Sequence, residues 1–154
     1  MILCDTRQQP GKHQNIDRYF DKAGIPHARQ ALYVGDYAIA NDQSRAVDTK
    51  QDVMELLQDM HGDHERFRRE CERAKDAGIA LLILIEEVLP AGGLAAWKAP
   101  IGQDGKPRTR SDPELLRKAL LTMTAKYGVR FRFCDAKDTG RLIIEYLTEG
   151  VMPK

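Results

Sequence analysis

This sequence is short of cysteine, of long apolar runs and of net charge, and each shortage excludes a class of protein. There are three cysteines, Cys4, Cys71 and Cys134, an odd number without framework spacing. That pattern argues against a secreted disulfide scaffold and for a reducing compartment. The longest apolar run, Ile79 to Ile85, is far too short to span a bilayer. The N-terminus "MILCDTR" has neither a basic leader region nor a long apolar one. The reading is a soluble, cytoplasmic protein with no membrane partner. The 24 basic residues nearly cancel the 23 acidic ones, so a net charge of +1 gives no global field directed at nucleic acid. A basic face can still exist if the charges are segregated. No G-x-G-x-x-G, Walker loop or nucleophile elbow occurs, and nothing calls for a nucleotide cofactor.

What remains is a chain of 154 residues, read as a single domain over 1–154. "MILCD" predicts a short strand ending at Asp5. Asn15 is placed to cap a helix carrying Ile16, Tyr19, Phe20 and Ala23 on one face, with Gly24 at its end. "HARQALYV" and "GDYAIA" predict two strands meeting at Gly35, "NDQS" a turn, and "RAVDTK" the next strand. Val53, Leu56, Leu57 and Met60 have helical spacing. Asp63 is a candidate cap for a second helix carrying Phe67, Cys71 and Ala74. "IALLILIEE" reads as a strand buried on both faces. Residues 90 to 110 predict a long loop. Ser111 and Glu114 suggest a capping box, with Pro113 in the first turn and Gly128 closing the helix. "VRFRFC" is a strand, and a last helix runs from about Lys137 to Glu149. The order β-α-β-β-β-α-α-β-α-β-α predicts an α/β fold, a mixed central sheet flanked by helices on both faces.

Chemistry concentrates in "VGDYAIANDQSRAVDTKQDV", residues 34–53. Alternation along a strand points Asp48 and Lys50 to one face, and Val47 and Thr49 to the other. A hairpin sets Asp36 near Asp48. Two close carboxylates repel unless a cation lies between them, and Mg²⁺ or Mn²⁺ suits that role. Lys50 beside the ion would orient a water or stabilise charge on a phosphate. By itself a D-x-K triplet also fits a solvated edge strand.

The wider pattern narrows the choice. "ILCDTR", "LYVGDYAI", "AVDTKQDVMELL" and "ERAKDAGIALLILIEE", in that order, resemble the XPF-type nuclease domain of the PD-(D/E)XK superfamily. "HERFRRE" and "KYGVRFRFC" are similar to small stand-alone phage and prophage members. The resemblance implies a restriction-endonuclease-like core and a Mg²⁺- or Mn²⁺-dependent DNA endonuclease acting on branched or flapped DNA, in recombination, repair or phage replication. It assigns Asp36, Asp48 and Lys50 as catalytic, and Asp36, Asp48 and Asp5 as metal-binding. Arg7 follows the first acid. Gln8, Thr49 and Met54 depart from the family pattern, where Glu, Arg and an acid are expected. Those departures motivate an alternative, a non-catalytic DNA-binding or scaffolding module. A resolvase or restriction-type enzyme is a further reading. The family's helix-hairpin-helix module is expected to be absent, leaving DNA to be gripped by the domain itself, by a homodimer or by a partner protein.

Other residues carry two readings each. Asp5 is a third metal acid or a loop cap. Arg7 binds phosphate or pairs with a site carboxylate. Glu86, at the end of the long apolar strand, lines the site or is solvated, and the resemblance suggests Glu70 as a site residue. Arg66, Arg69 and Arg73 contact phosphates or pair on a solvated helix. Lys106, Arg108 and Arg110 form a DNA-wrapping loop with Trp97, or a surface loop with Trp97 in the core. His61, His64 and Cys71 lack a second ligand pair for zinc.

Overall fold

The computed structural model describes residues 1–7, 11, 13–62 and 64–150. Gln8 and the Asp63 cap lie outside them.

Six strands form one mixed sheet. They are β1 (Ile2–Cys4), β2 (His27–Arg29), β3 (Tyr37–Ile39), β4 (Asp42–Lys50), β5 (Ala80–Ile85) and β6 (Arg130–Phe133), in the order β2-β1-β3-β4-β5-β6. The pairs β1–β2, β4–β5 and β5–β6 are parallel, and β1–β3 and β3–β4 are antiparallel. Five helices complete the fold: α1 (Gln14–Lys22), α2 (Val53–His61), α3 (His64–Asp76), α4 (Pro113–Tyr127) and α5 (Thr139–Glu149). The sequence of elements is the one that the periodicities predict.

Strand alternation explains the layers. From β4 and β5, Ala46, Leu81, Ile83 and Ile85 face α2, α3 and α4, where Val53, Leu56, Phe67, Cys71 and Leu120 meet them. Val47, Leu82 and Leu84 point to the opposite face and pack on Ile16, Phe20, Ile143 and Leu147 of α1 and α5. β5 is therefore apolar on both faces, as a parallel strand between two helix layers must be. Each such burial contributes about 2 kcal/mol before entropy is counted. Among the described residues no helix is long and apolar enough to cross a membrane.

Several local expectations change. Asn15 is inside α1 rather than capping it, and its amide instead donates to Glu86 Oε2 (3.2 Å) and the Ala136 carbonyl (2.8 Å). Ala23 is exposed. β2 stops at Arg29, opposite Cys4, where its partner β1 ends, and residues 30–36 run on as irregular backbone. The turn lies at Ala40–Asn41, so Asp42–Ser44 already belong to β4. Asp112, not Ser111, caps α4. Its extended backbone lets the carboxylate accept from the Glu114 N–H at 2.9 Å, while the Glu114 side chain turns to Arg117. The long loop holds a 3-10 turn at Leu94–Ala96, and Trp97 is buried, its Nε1 donating to Glu87 Oε2 at 2.6 Å. The core reading of Trp97 is the one realised.

Candidate active site

The β3–β4 pairing sets the site. Ile39 lies opposite Asp42, so a regular antiparallel ladder would put Tyr37 opposite Ser44. Instead Tyr37 lies opposite Val47, three residues further along β4. This irregularity slides Asp36 up to the end of β4 that carries Asp48 and Lys50. Gly35 makes the approach possible. Its φ is +78°, and a Cβ there would sit 3.0 Å from the Val47 carbonyl oxygen. The Asp36 N–H donates to that same carbonyl at 2.8 Å, and the Asp36 carbonyl accepts from the Asp5 N–H at 2.8 Å.

The side chains converge in a cleft of about 820 Å³ lined by Asp5, Asp36, Asp48, Lys50, Asp59 and Glu70, among others. Asp36 Oδ2 accepts from the Thr49 N–H (3.0 Å) and hydroxyl (2.9 Å). Thr49 belongs to the opposite face, as alternation requires, and there its hydroxyl lies 3.4 Å from His13 Nδ1. It is nevertheless the residue that fixes the Asp36 carboxyl.

Burial, and then the charge of Asp48, push the Asp36 carboxyl well above the usual carboxylate range, and the two groups share a hydrogen bond. Burial opposes ionisation of Asp48 too, but the Lys50 ammonium holds it below its ordinary value. Lys50 Nζ lies 3.0 Å from Asp48 Oδ2 and 2.5 Å from Asp59 Oδ2, and 5.5 Å above the Phe67 ring. Against the cost of burial, these two anions raise the lysine further and keep it protonated. Glu70 on α3 accepts from the Gly35 N–H at 3.2 Å. Burial and the nearby Asp48 charge raise it to about 7.

Of the other expected residues, Asp5 lines the cleft with its oxygens engaged. It accepts from the Leu32 N–H (2.9 Å) and from Arg7 Nε (3.0 Å), and Arg7 also reaches the Leu32 carbonyl at 2.7 Å. Glu86 is not among the lining residues. It faces Asn15, and burial raises its carboxyl. Arg66, Arg73 and Arg108 line the cleft, and Arg69, Lys106 and Arg110 do not. Met54 lies in the wall where an acid was expected. α2 brings two acids to the cleft lining, Glu55 and Asp59, and it is Asp59, which the sequence reading missed, that pairs with Lys50. The signal for Asp59 was the polar stripe Asp52, Glu55, Asp59 at helical spacing, opposite the apolar one.

Among the described residues no three His, Cys, Asp or Glu side chains form a ready-made metal cage, and Cys71 is buried in the core. The donor chemistry still suits a hard cation. Mg²⁺ characteristically takes one or two carboxylates and keeps its waters. Buried Asp48 Oδ2 has an ion-pair neighbour but no directed hydrogen bond, and the adjoining Asp36 carboxyl is one whose ionisation burial and Asp48 oppose.

Comparison with known proteins follows the same line. A family model for the ERCC4 domain matches residues 4–146. XPF from Aeropyrum pernix is similar in structure, with a TM-score of 0.69 at 17% identity, over 97% of this chain and 64% of that one. XPF from Aeropyrum pernix in complex with DNA gives a TM-score of 0.68 at 16% identity, with the same coverage, 97% and 64%. The chain thus spans 64% of the length of either structure, and the likeness is one of fold. No curated protein matches it significantly.

Proposed function

The chain belongs to the ERCC4 domain family, and on that premise we propose that it is a divalent-metal-dependent DNA endonuclease acting on branched or flapped DNA. The observation that carries this reading is the convergence of Asp36, held by Thr49, and buried Asp48 in one cleft, beside a lysine held between Asp48 and Asp59. Two close carboxylates repel each other, and a cation between them satisfies both. Asp36 and Asp48 would hold Mg²⁺ or Mn²⁺, with Asp5 fastening Arg7 and the loop at their side. When bound, the ion would supply an acidified water and neutralise charge on a phosphate oxygen.

The chain's own groups do the rest. Lys50, immobilised by Asp48 and Asp59, presents a fixed positive charge to the phosphate under attack. Glu70, raised to about 7, is suited to take a proton at neutral pH. Thr49 and Gly35 hold Asp36 in register. DNA as the partner is supported by the basic rim of Arg7, Arg66, Arg73 and Arg108, and by the DNA complex of the similar XPF. Three free, buried cysteines fit a reducing compartment such as the cytoplasm.

The test is incubation with forks, flaps, Holliday junctions and plain duplex, with and without Mg²⁺. We expect metal-dependent cleavage of a branched substrate and its loss in Lys50→Ala. Cleavage of none, or an unchanged Lys50→Ala, overturns the assignment. The alternative, a binding module without catalysis, draws support from Met54 and from the closed Lys50 ion pairs. It predicts that Mn²⁺ leaves the melting temperature unchanged. A catalytic site predicts a rise that Asp48→Asn abolishes.

A further inference from the structure

One exposed aromatic side chain stands in the catalytic cleft without a role in the site just described. Tyr33 is 58% exposed, while its neighbours Leu32 and Val34 are 4% and 3% exposed. The other large apolar side chains that are exposed (Met1, Val88, Ile101, Leu115 and Leu121) are not among the cleft-lining residues. The chain turns Leu32 and Val34 in and Tyr33 out, but that burial pattern does not require an aromatic there.

The segment is also tied down. Both backbone groups of Leu32 are bonded, the N–H to Asp5 and the carbonyl to Arg7. The Tyr33 carbonyl accepts from Arg73 Nε at 3.4 Å, and the Arg73 guanidinium lies 5.8 Å from the centre of the Tyr33 ring. The ring is thus an exposed, amphipathic plate beside a cation, on a backbone held by hydrogen bonds. It sits three residues before Asp36, at most ~10 Å along the chain.

We propose that Tyr33, backed by Arg73, is a stacking platform for an unpaired nucleobase next to the phosphate at the acids. The inference rests on the reading of the cleft as a DNA site and deepens it. Cations around the ring favour a polyanion over an apolar protein surface. A base inside a duplex offers its neighbours only edges, whereas an unpaired base offers the π-face that a tyrosine plate takes. A plain tyrosine–arginine surface pair would affect all DNA alike or none of it. A stacking platform affects only substrates with a free base.

The experiment measures anisotropy of a labelled flapped duplex and of its blunt counterpart, in EDTA so that nothing is cut. We expect wild type to favour the flapped DNA. Tyr33→Ala should lose about tenfold on it, the order of a single stacking contact, and little on the blunt one, while Tyr33→Trp keeps the preference. A 2-aminopurine at the first unpaired position should be quenched by wild type and less so by Tyr33→Ala. Equal losses on both substrates, no loss, or no binding by wild type overturns the platform. Cleavage with Mg²⁺ is scored separately. Wild type that cuts while Tyr33→Ala binds normally refutes the platform alone. Wild type that binds with the Tyr33-dependent preference and never cuts refutes the nuclease alone.

Discussion

At the scale of single residues, the site is a set of charges that burial makes interdependent. Thr49 gives Asp36 two donors, which on their own would favour the ionised carboxylate, yet desolvation and Asp48 outweigh them. Glu70 follows the same logic. Raised from the ordinary 4.5 to about 7, it binds more protons folded than unfolded between those pH values, so ionising it costs stability as pH rises through that window. Lys50, also raised, loses its contribution only at strongly alkaline pH, outside this window. Glu70→Gln should therefore stabilise the metal-free protein at pH 8 by on the order of 2 kcal/mol and leave it unchanged near pH 4. Melting curves across pH test this, and an equal shift at both ends would show that Glu70 acts by packing. Asp59 makes a second prediction. Asp59→Asn leaves Lys50 with one anionic partner and frees its side chain. We expect cleavage to fall about ten- to a hundredfold at unchanged DNA affinity, with Asp59→Glu recovering part, read from single-turnover rates beside binding curves. The triad Asp36, Asp48, Lys50 was legible as a motif. Asp59 was not, because a motif assigns positions by linear spacing, whereas a helix presents whatever its turn brings round.

At the scale of elements, periodicity made the order of strands and helices readable. The 3.6 and 2 repeats are properties of each segment's own burial. Register was not readable in that way. The two-residue turn at Ala40–Asn41 would direct a regular ladder, and only the slip between Ile39 and Tyr37 brings Asp36 to Asp48. Caps erred for a related reason. Asn15 and Ser111 have capping chemistry, but Asn15 finds Glu86 across the fold and Asp112 stands nearer the first turn of α4. Gly35 is the residue on which the slip depends. Gly24 and Gly35 share a left-handed φ, +70° and +78°, but an added Cβ meets nothing within 4 Å at Gly24 and the Val47 oxygen at 3.0 Å at Gly35. Gly24→Ala should cost about 1 kcal/mol and Gly35→Ala about 2–3. Only the second should also abolish the Mn²⁺-dependent rise in melting temperature, because it displaces Asp36. Urea midpoints with and without Mn²⁺ decide the matter. A retained rise in Gly35→Ala would mean that the carboxylate pair does not need this close approach.

At the scale of the whole molecule, a net charge of +1 conceals a segregation. Acids occupy the floor of the cleft, and Arg7, Arg66, Arg73 and Arg108 its walls and rim, brought from the β1–α1 connection, from α3 and from the long loop before α4. The sequence reading held all four as candidates for phosphate contact, but alongside Arg69, Lys106 and Arg110, and the four come from three separate segments. Even within α3 the arginines divide. Arg66, Glu70 and Arg73 follow one another at four and three residues along the cleft side, while Arg68 is paired with Glu65 and Glu72 and Arg69 does not line the cleft. The family motif pointed to Asp36 and Asp48 but not to Asp59, and the cations could be sorted only once the helix had an orientation. The division has a thermodynamic signature. Each phosphate neutralised on binding releases counterions and adds about 0.9 to the slope of log affinity against log salt on duplex DNA, about 0.7 on a single strand. Arg66→Ala should lower the slope by nearly one such step and weaken forks, flaps and duplex alike, because a phosphate contact carries no sequence or structure preference. Arg69→Ala, on the same helix and of the same charge, should leave the slope unchanged. Binding isotherms for both variants over a salt series, in EDTA, measure the difference. Equal slopes for Arg66→Ala and Arg69→Ala would mean that DNA meets α3 as a diffuse positive surface, and that the cleft wall does not set the path of the backbone.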